Sequence, residues 1–412
     1  EVKLPNANSL INPNRLDDES NLNYLCAAGV TFMFLVALNS KLREMDWFKK
    51  NNINEPNLIN FLDLVSLGTI CDVVPLIGLN RAIVKQGLKI IKRRGNIGLK
   101  TLIELCNIES NLTTKDLGYA IGPRINAGGR VGKCSHGANL LLNIDPKESF
   151  KIASELNQYN KDRQELEKKL LNIVLNSNKE VFEDPVLIIS GENWHEGVIG
   201  IVASRIKDKF NKPTIIISTD KNIGKASARS VQGFDIGSAI IAAMQKNLLL
   251  KGGGHKMAAG FSIDMNNLKA FKKFIISKFK SSKVNLSNSL NIFLDSELSP
   301  AALNLDFYEK INNLAPFGSG NPEPKFFLEN MKVINSKVLN DSHIKSTLIG
   351  RDGTAIKTIA FNAFGSELSQ YLNTKNKNSF NIAGKLSLNV WQGKRNVEFI
   401  IDDISVIKNH KN

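Results

Sequence analysis

"PVLIISGENWHEGVIGIVASRIKDKFNKPTIIIS", Pro185 to Ser218, decides the fold. "PVLIIS" and "PTIIIS" are short apolar runs that read as buried strands. "GVIGIVASRIKDKF" between them has helical spacing. Strand, helix and strand at these lengths predict a parallel βαβ unit. Loops beyond the strand ends of such sheets commonly build sites. "WHEG", Trp194 to Gly197, stands just before the helix. "KASARSVQGFDIG" follows the second strand, then "GGGHKMAAGFSI" and a lysine-rich helix near 266–280. Three glycines running into His255 offer bare backbone to a phosphate, a metal site or another strand.

Upstream, residues 29–45 read as an amphipathic helix, and 58–94 as helix, turn and helix around "SLGTICDVVPLIGLNRAIVKQGL". "TTKDLGYAIGPRINAGGRVG" opens with a capping-box pattern at Thr113 and Asp116 and predicts a glycine-rich loop after it. Residues 146–178 predict one long polar helix, whose alternating charges suit a solvated connector. From about 288 the pattern becomes mostly strands: "MKVINSKVL", "AIKTIAF", "FNIAGKLSL" and "VEFIIDDISVI". Several short strands in about a hundred residues suggest an OB-like β-barrel. Before them, "SPAALNLDFYEKINNL" predicts one helix with Ser299 as N-cap and Pro300 at its first position.

The chain has 412 residues, which predicts two or three domains, and a formal charge of +15, which favours a polyanionic partner over a neutral metabolite. Its four cysteines, Cys26, Cys71, Cys106 and Cys134, form no CxxC pair, so neither zinc nor a disulfide framework is suggested. The apolar run "GVTFMFLVAL" is about half of a bilayer span, no signal peptide is visible, and the cytoplasm is the expected compartment.

Several side chains have two readings. Asp72, in the apolar turn "GTICDVVPL", either caps the following turn or donates hard oxygen to magnesium or manganese. Arg124 and Arg130, flanking "INAGG", either meet phosphate or sit on the surface beside a helix end. His195 either polarises a phosphoryl oxygen or holds its loop. His255, between glycines and "MAAG", favours function. Trp391 beside Lys394 and Arg395, in "NVWQGKRNVEF", and Lys325, Phe326 and Phe327, in "PEPKFF", are either an aromatic and basic platform for single strands or ordinary core and surface.

Seven motifs occur in order: "SLGTICDVVPLIGLNRAIVKQGL", "GPRINAGGRVG", "ELNQYNKDRQELE", "NWHEGVIGIVASRI", "KASARSVQGFDI", "GGGHKMAAG" and "LAPFGSGNPEP". Together they resemble the RecJ family of single-strand-specific 5′→3′ DNA exonucleases, in the DHH phosphoesterase superfamily. The resemblance spans nearly the whole chain. It implies an α/β fold: the carboxy-terminal part of a DHH domain over 1–145, a connecting helix over 146–178, a DHH-associated domain over 179–285 and an OB-like domain over 288–412. It implies that His255 contacts the phosphate being cut and that Ser227 and Arg229 read the terminal 5′ phosphate. Arg124 would lie near the strand's path, with Arg130 beside it, and Asp72 would be the last metal-binding aspartate. The implied chemistry is hydrolysis of phosphodiesters with two Mn2+ or Mg2+ ions about 4 Å apart, in DNA repair and recombination. Implied partners are single-stranded DNA, a single-strand-binding protein and a helicase, with no membrane.

The sequence departs from the family at one point. The earlier acidic motifs and the Asp-His-His triplet are not in this sequence; its histidines are His136, His195, His255, His343 and His410, none adjacent. The chain opens at Glu1 within "LPNANSLINPNRLDD", and the expectation is that an amino-terminal piece precedes it. This polypeptide alone is then expected to hold an incomplete metal set and to be inactive. Two other classes stay open: a non-catalytic single-strand-binding module, and a phosphoesterase acting on short oligonucleotides or nucleotides.

Overall fold

The computed structural model describes residues 5–108, 112–177, 179–284, 291–373 and 378–406. It divides into two compact units, one formed by Glu1–Arg93, Leu112–Leu117 and Ile292–Asn412, the other by Arg94–Asn111 and Gly118–Asn291.

The second unit is built on the βαβ stretch. β1 (Leu187–Glu192) pairs in parallel with β2 (Thr214–Asp220), crossing over through the helix Glu196–Phe210. β3 (Ile223–Arg229), β4 (Lys251–His255) and β5 (Ala258–Asp264) complete a sheet of order β1-β2-β3-β5-β4, antiparallel beyond β2. The three isoleucines Ile215, Ile216 and Ile217 are fully buried, as expected of a strand covered on both faces. One face packs the helices Ile236–Gln245 and Leu268–Ser281 through Ile240, Phe271 and Ile275. The other packs Val198, Val202 and Ile206 of the Glu196–Phe210 helix with Leu170 and Val174. Alternation along β3 buries Ala226 and Ala228 on the first face, so Ser227 and Arg229 stand on the second.

Two expectations need correction here. "GPRINAGGRVG" is a helix, Gly122–Val131, with Pro123 in its first turn. Its glycines serve close packing: a Cβ on Gly128 would stand 2.5 Å from the Lys133 carbonyl oxygen, and one on Gly132 would enter the Tyr159 ring. The helix Pro146–Leu175, capped by Asp145, forms as expected but is no solvated connector. It buries Ile152, Ala153, Leu156 and Asn160, and its charged Arg163 and Glu167 are only 12% exposed.

In the first unit the helices Ala27–Glu44, Leu62–Cys71 and Gly78–Lys92 lead the chain, with Leu62, Val65, Ile83 and Ile90 at their centre. Its second part is a barrel. β6 (Ser296–Glu297), β7 (Phe326–Leu339), β8 (His343–Ile349), β9 (Ala355–Ala360), β10 (Phe380–Trp391) and β11 (Lys394–Val406) run in order β10-β11-β9-β8-β7-β6, and β10 pairs β7 to close the sheet. Phe380, Phe399, Leu328 and Met331 fill it. The expected single helix from Ser299 is broken. A short turn Pro300–Ala302 precedes the helix Leu305–Asn312, whose cap is Asn304, accepting from the Phe307 N–H at 3.0 Å. Asn304 supplies the side-chain acceptor that Ser299 does not.

Candidate phosphate and nucleic-acid site

The site-bearing face of the second unit is a grid of sheet rows. Arg229 of β3, Ala258 of β5 and His255 of β4 form one row, and Ser227, Gly260 and Gly253 form the next. Strands lie about 4.8 Å apart, so the Arg229 and His255 backbones are about 10 Å apart across it. The four glycines near His255 divide by face. A Cβ on Gly252 or Gly254 would press into Phe261 or Ala259, so those two serve packing. A Cβ on Gly253 meets nothing within 4 Å, and one on Gly260 meets only the Ala226 carbonyl oxygen at 3.7 Å. The second row is therefore open backbone that another chain can approach closely.

Cations gather at the Ser227 end. Arg229 donates through Nη1 to Ser227 Oγ at 3.1 Å and to the Ala228 carbonyl at 2.8 Å. Gly200, in the first turns of the Glu196–Phe210 helix, leaves room for this pair; its Cβ would stand 2.9 Å from both Arg229 Nη2 and Ser227 Oγ. Arg130 donates to the Gly197 carbonyl at 3.2 Å. Burial first, then the neighbouring Arg130 charge, pull the Arg229 pKa down. Burial first, then Arg163, pull Arg130 down, and Glu167 offsets part of this. Arg229 thus sits on Ser227, the Arg130 charge reaches Arg229 and the Arg163 charge reaches Arg130, beside a helix N-terminus whose dipole adds positive potential. Such a concentration of donors can meet an anion with several acceptor oxygens.

Arg163 escaped the sequence reading because it looked like one of many alternating charges. Its signal was its place in "NQYNKDRQELE". Asn160 Oδ1 accepts from its Nε at 3.3 Å and Nη2 at 3.1 Å, and Glu167 takes its Nη1 at 3.0 Å. Arg124 lies on the neighbouring helix, held by Asn157 Oδ1 at 2.9 Å and the Ala120 carbonyl at 2.7 Å.

The histidines differ. His195 is the N-cap of the Glu196–Phe210 helix, its Nδ1 accepting from the Gly197 N–H at 3.1 Å. That is the loop-holding role. His255 is exposed at the β4–β5 turn, and its Nδ1 accepts from the Met257 N–H at 3.3 Å. The ring proton then sits on Nε2, which is left to donate outward.

In the first unit Asp72 closes the helix Leu62–Cys71 as its C-cap and is exposed. The buried carboxylate of that helix is Asp63, 6% exposed, with its carboxyl pushed up by burial. Val73, next to Asp72, has φ 57°, a costly region for a β-branched residue. The loop "PFGSGN" braces this turn: the Leu76 N–H donates to the Ser319 carbonyl at 2.7 Å, and a Cβ on Gly318 would press on Leu76. Cys71 is pushed up to about 11 by burial and by Asp72, so its thiol is no nucleophile at neutral pH. Among the described residues no three His, Cys, Asp or Glu side chains lie close enough to hold a metal ion. Asp72 alone does not fit one.

In the barrel Phe326 is core, Lys325 pairs with Asp402 at 2.7 Å, and Phe327 is half-buried. Arg395 pairs with Glu309 at 3.0 Å while Lys394 is exposed at the β10–β11 turn; the Trp391 side chain lies outside the described residues. Among the described residues no helix is long and apolar enough to cross a membrane.

Comparison with known proteins agrees with this architecture. The DHHA1 domain family matches residues 167–281 and the RecJ OB domain family residues 294–403. The single-stranded-DNA-specific exonuclease RecJ of Escherichia coli is 34% identical over 419 residues, covering 97% of this chain and 70% of that protein. RecJ of Thermus thermophilus in complex with Mn2+ superposes with a TM-score of 0.75 at 29% identity, over 91% of this chain and 52% of that one. Its Mg2+ complex gives the same score over 92% and 55%. This chain thus spans about half of the Thermus protein. With this identity, coverage and pair of domains, the chain belongs to the RecJ family of single-stranded-DNA-specific exonucleases.

Proposed function

We propose that this chain serves 5′→3′ exonucleolytic hydrolysis of single-stranded DNA in repair and recombination. The observation that carries the reading is the union, on one sheet face, of a cationic corner and a row of open backbone. The terminal 5′ phosphate seats on Ser227 and Arg229, with Arg130 and Arg163 closing around it. A dianionic phosphomonoester offers these donors the acceptors they lack. The strand then lies over Gly260 and Gly253, and His255 donates from Nε2 to the phosphate being cut. There it offsets charge that grows in the transition state. Arg124 lines the approach. The barrel adds sequence-independent affinity, with Trp391, Lys394 and Arg395 as its contacts.

The Thermus relatives hold Mn2+ or Mg2+, and a divalent ion belongs to the proposed reaction, with Asp72 as one ligand. The described residues gather no group of three His, Cys, Asp or Glu side chains that would complete its site. A single-strand-binding protein and a helicase are the proposed companions, since they present and produce single strands, and the cytoplasm is the proposed compartment.

The test is the exonuclease reaction, with Mn2+, of a full-length version that carries the metal-binding motifs ahead of this chain, on 5′-phosphorylated and 5′-hydroxyl oligonucleotides. Phosphorylated ends should be preferred, and His255→Ala should lower kcat by about 10²-fold with KM little changed. Equal use of both ends removes the end-reading corner. Tight binding without cleavage, in the presence of Mn2+, supports the non-catalytic binding module instead.

A further inference from the structure

Glu167 is out of place in an anion site. It lies one turn after Arg163 on the helix Pro146–Leu175, only 12% exposed, with Oε2 3.0 Å from Arg163 Nη1. Its other oxygen, Oε1, is 3.1 Å from Arg205 Nε, on the helix whose first turn faces the cluster. Its charge also reaches Arg130. Holding Arg163 in place does not require it, because Asn160 Oδ1 already takes Nε and Nη2. Arg163 has five N–H donors, and these contacts leave it donors for a ligand.

We propose that Glu167 sets the anion affinity of the arginine cluster, holding it low enough for a bound 5′ phosphate to leave. The inference rests on the reading of this cluster as a terminal-phosphate site. In a 5′→3′ exonuclease each cycle breaks the bond behind the first nucleotide, and that nucleotide departs with its 5′ phosphate still in the corner. Three guanidiniums and a helix N-terminus with no opposing charge would retain such a dianion. The little-exposed Glu167 carboxylate weakens that grip while it occupies one N–H of Arg163 and leaves Arg130 and Arg229 free of any bond to it. Opposite charges at such range interact strongly when partly withdrawn from water.

The experiment is fluorescence anisotropy of the chain with a labelled oligonucleotide, 5′-phosphorylated or 5′-hydroxyl, for wild type, Glu167→Gln and Glu167→Ala, each checked by circular dichroism melting. Both variants should bind the phosphorylated end about tenfold tighter at low salt, with a gain that shrinks as salt screens it. Binding of the hydroxyl end should change little. In the cleavage reaction of a full-length version that carries the metal-binding motifs, KM and kcat should fall together, with added deoxynucleoside 5′-monophosphate inhibiting more strongly. Equal or weaker binding of phosphorylated ends, in a protein whose wild type still prefers them, overturns this inference and makes Glu167 a mere support for Arg163. A wild type with no preference for phosphorylated ends overturns the underlying site reading and this inference with it.

Discussion

Arg229→Ala separates affinity from stability. In the folded protein the guanidinium spends Nη1 on Ser227 Oγ and the Ala228 carbonyl. Among the described residues its Nε and Nη2 make no hydrogen bond and can serve a ligand. One charge-assisted hydrogen bond contributes about 1.5–3 kcal/mol, and each 1.4 kcal/mol is tenfold. The variant should therefore bind 5′-phosphorylated single strands about 10- to 150-fold more weakly. Hydroxyl ends, which present no terminal phosphate, should lose far less. Stability should move the other way. Burial and Arg130 both oppose this charge, so its removal relieves repulsion, and the melting temperature should hold or rise. The assay is paired anisotropy titration at two salt concentrations beside a thermal melt. Equal losses on both ends would falsify the end-reading role. A loss that tracks a fall in melting temperature would show that Arg229 is a structural residue.

Two further outcomes test the rest of this chain. Gly260→Val should fold normally, since its Cβ meets only one carbonyl at 3.7 Å and valine suits a strand. It should weaken single strands with either end by about tenfold through loss of close approach; unchanged affinity would place the strand elsewhere. Asp63→Asn tests the buried carboxylate of the first unit. Burial raises its folded pKa, so the folded state holds a proton that the unfolded state releases. Its contribution is greatest below the ordinary carboxylate range and is lost as pH rises through the folded value. The asparagine variant should melt higher at pH 7, by about 2–4 °C for each kcal/mol relieved, and show no such gain in acid. A gain that does not depend on pH would mean that Asp63 is not charged at neutral pH.

What was legible in the sequence follows physical lines. The apolar runs of β1 and β2 read correctly because a strand covered on both faces has no polar alternation to confuse it. β8, "HIKSTLI", was passed over because its outward Lys345 and Thr347 and its buried Ser346 leave only a thin apolar signal. "GPRINAGGRVG" was read as a loop because glycine has low helix propensity. Tertiary packing overrode it: Gly128 and Gly132 admit the Lys133 carbonyl and the Tyr159 ring, where any side chain would clash. Ser227 and Arg229 are singled out by resemblance and His255 already by its glycine setting, and their strand register brings all three onto one face. Arg163 and Glu167 were invisible because a helix with many charges reads as solvated. Only the packed structure shows that these two are withdrawn from water.

The arginine corner is hard to explain as scaffolding. Ion pairs that hold a fold together match cation to anion, and removal of one partner leaves the other buried at a cost. Here Arg130, Arg163 and Arg229 stand near one another, with Glu167 as the carboxylate paired to Arg163 and shared with Arg205. The Glu196–Phe210 helix directs its N-terminus into the same corner, which worsens the imbalance rather than relieving it. Gly200 admits Arg229 and Ser227 where a Cβ would press on both at 2.9 Å. Uncompensated charge of this kind lowers stability, and sequences retain such features where function requires them. An anion entering the corner reverses the sign of the electrostatic terms. It offsets the repulsion between arginines and meets the helix dipole. The corner is thus better matched to its ligand than to itself, which is the physical ground for reading it as a phosphate site.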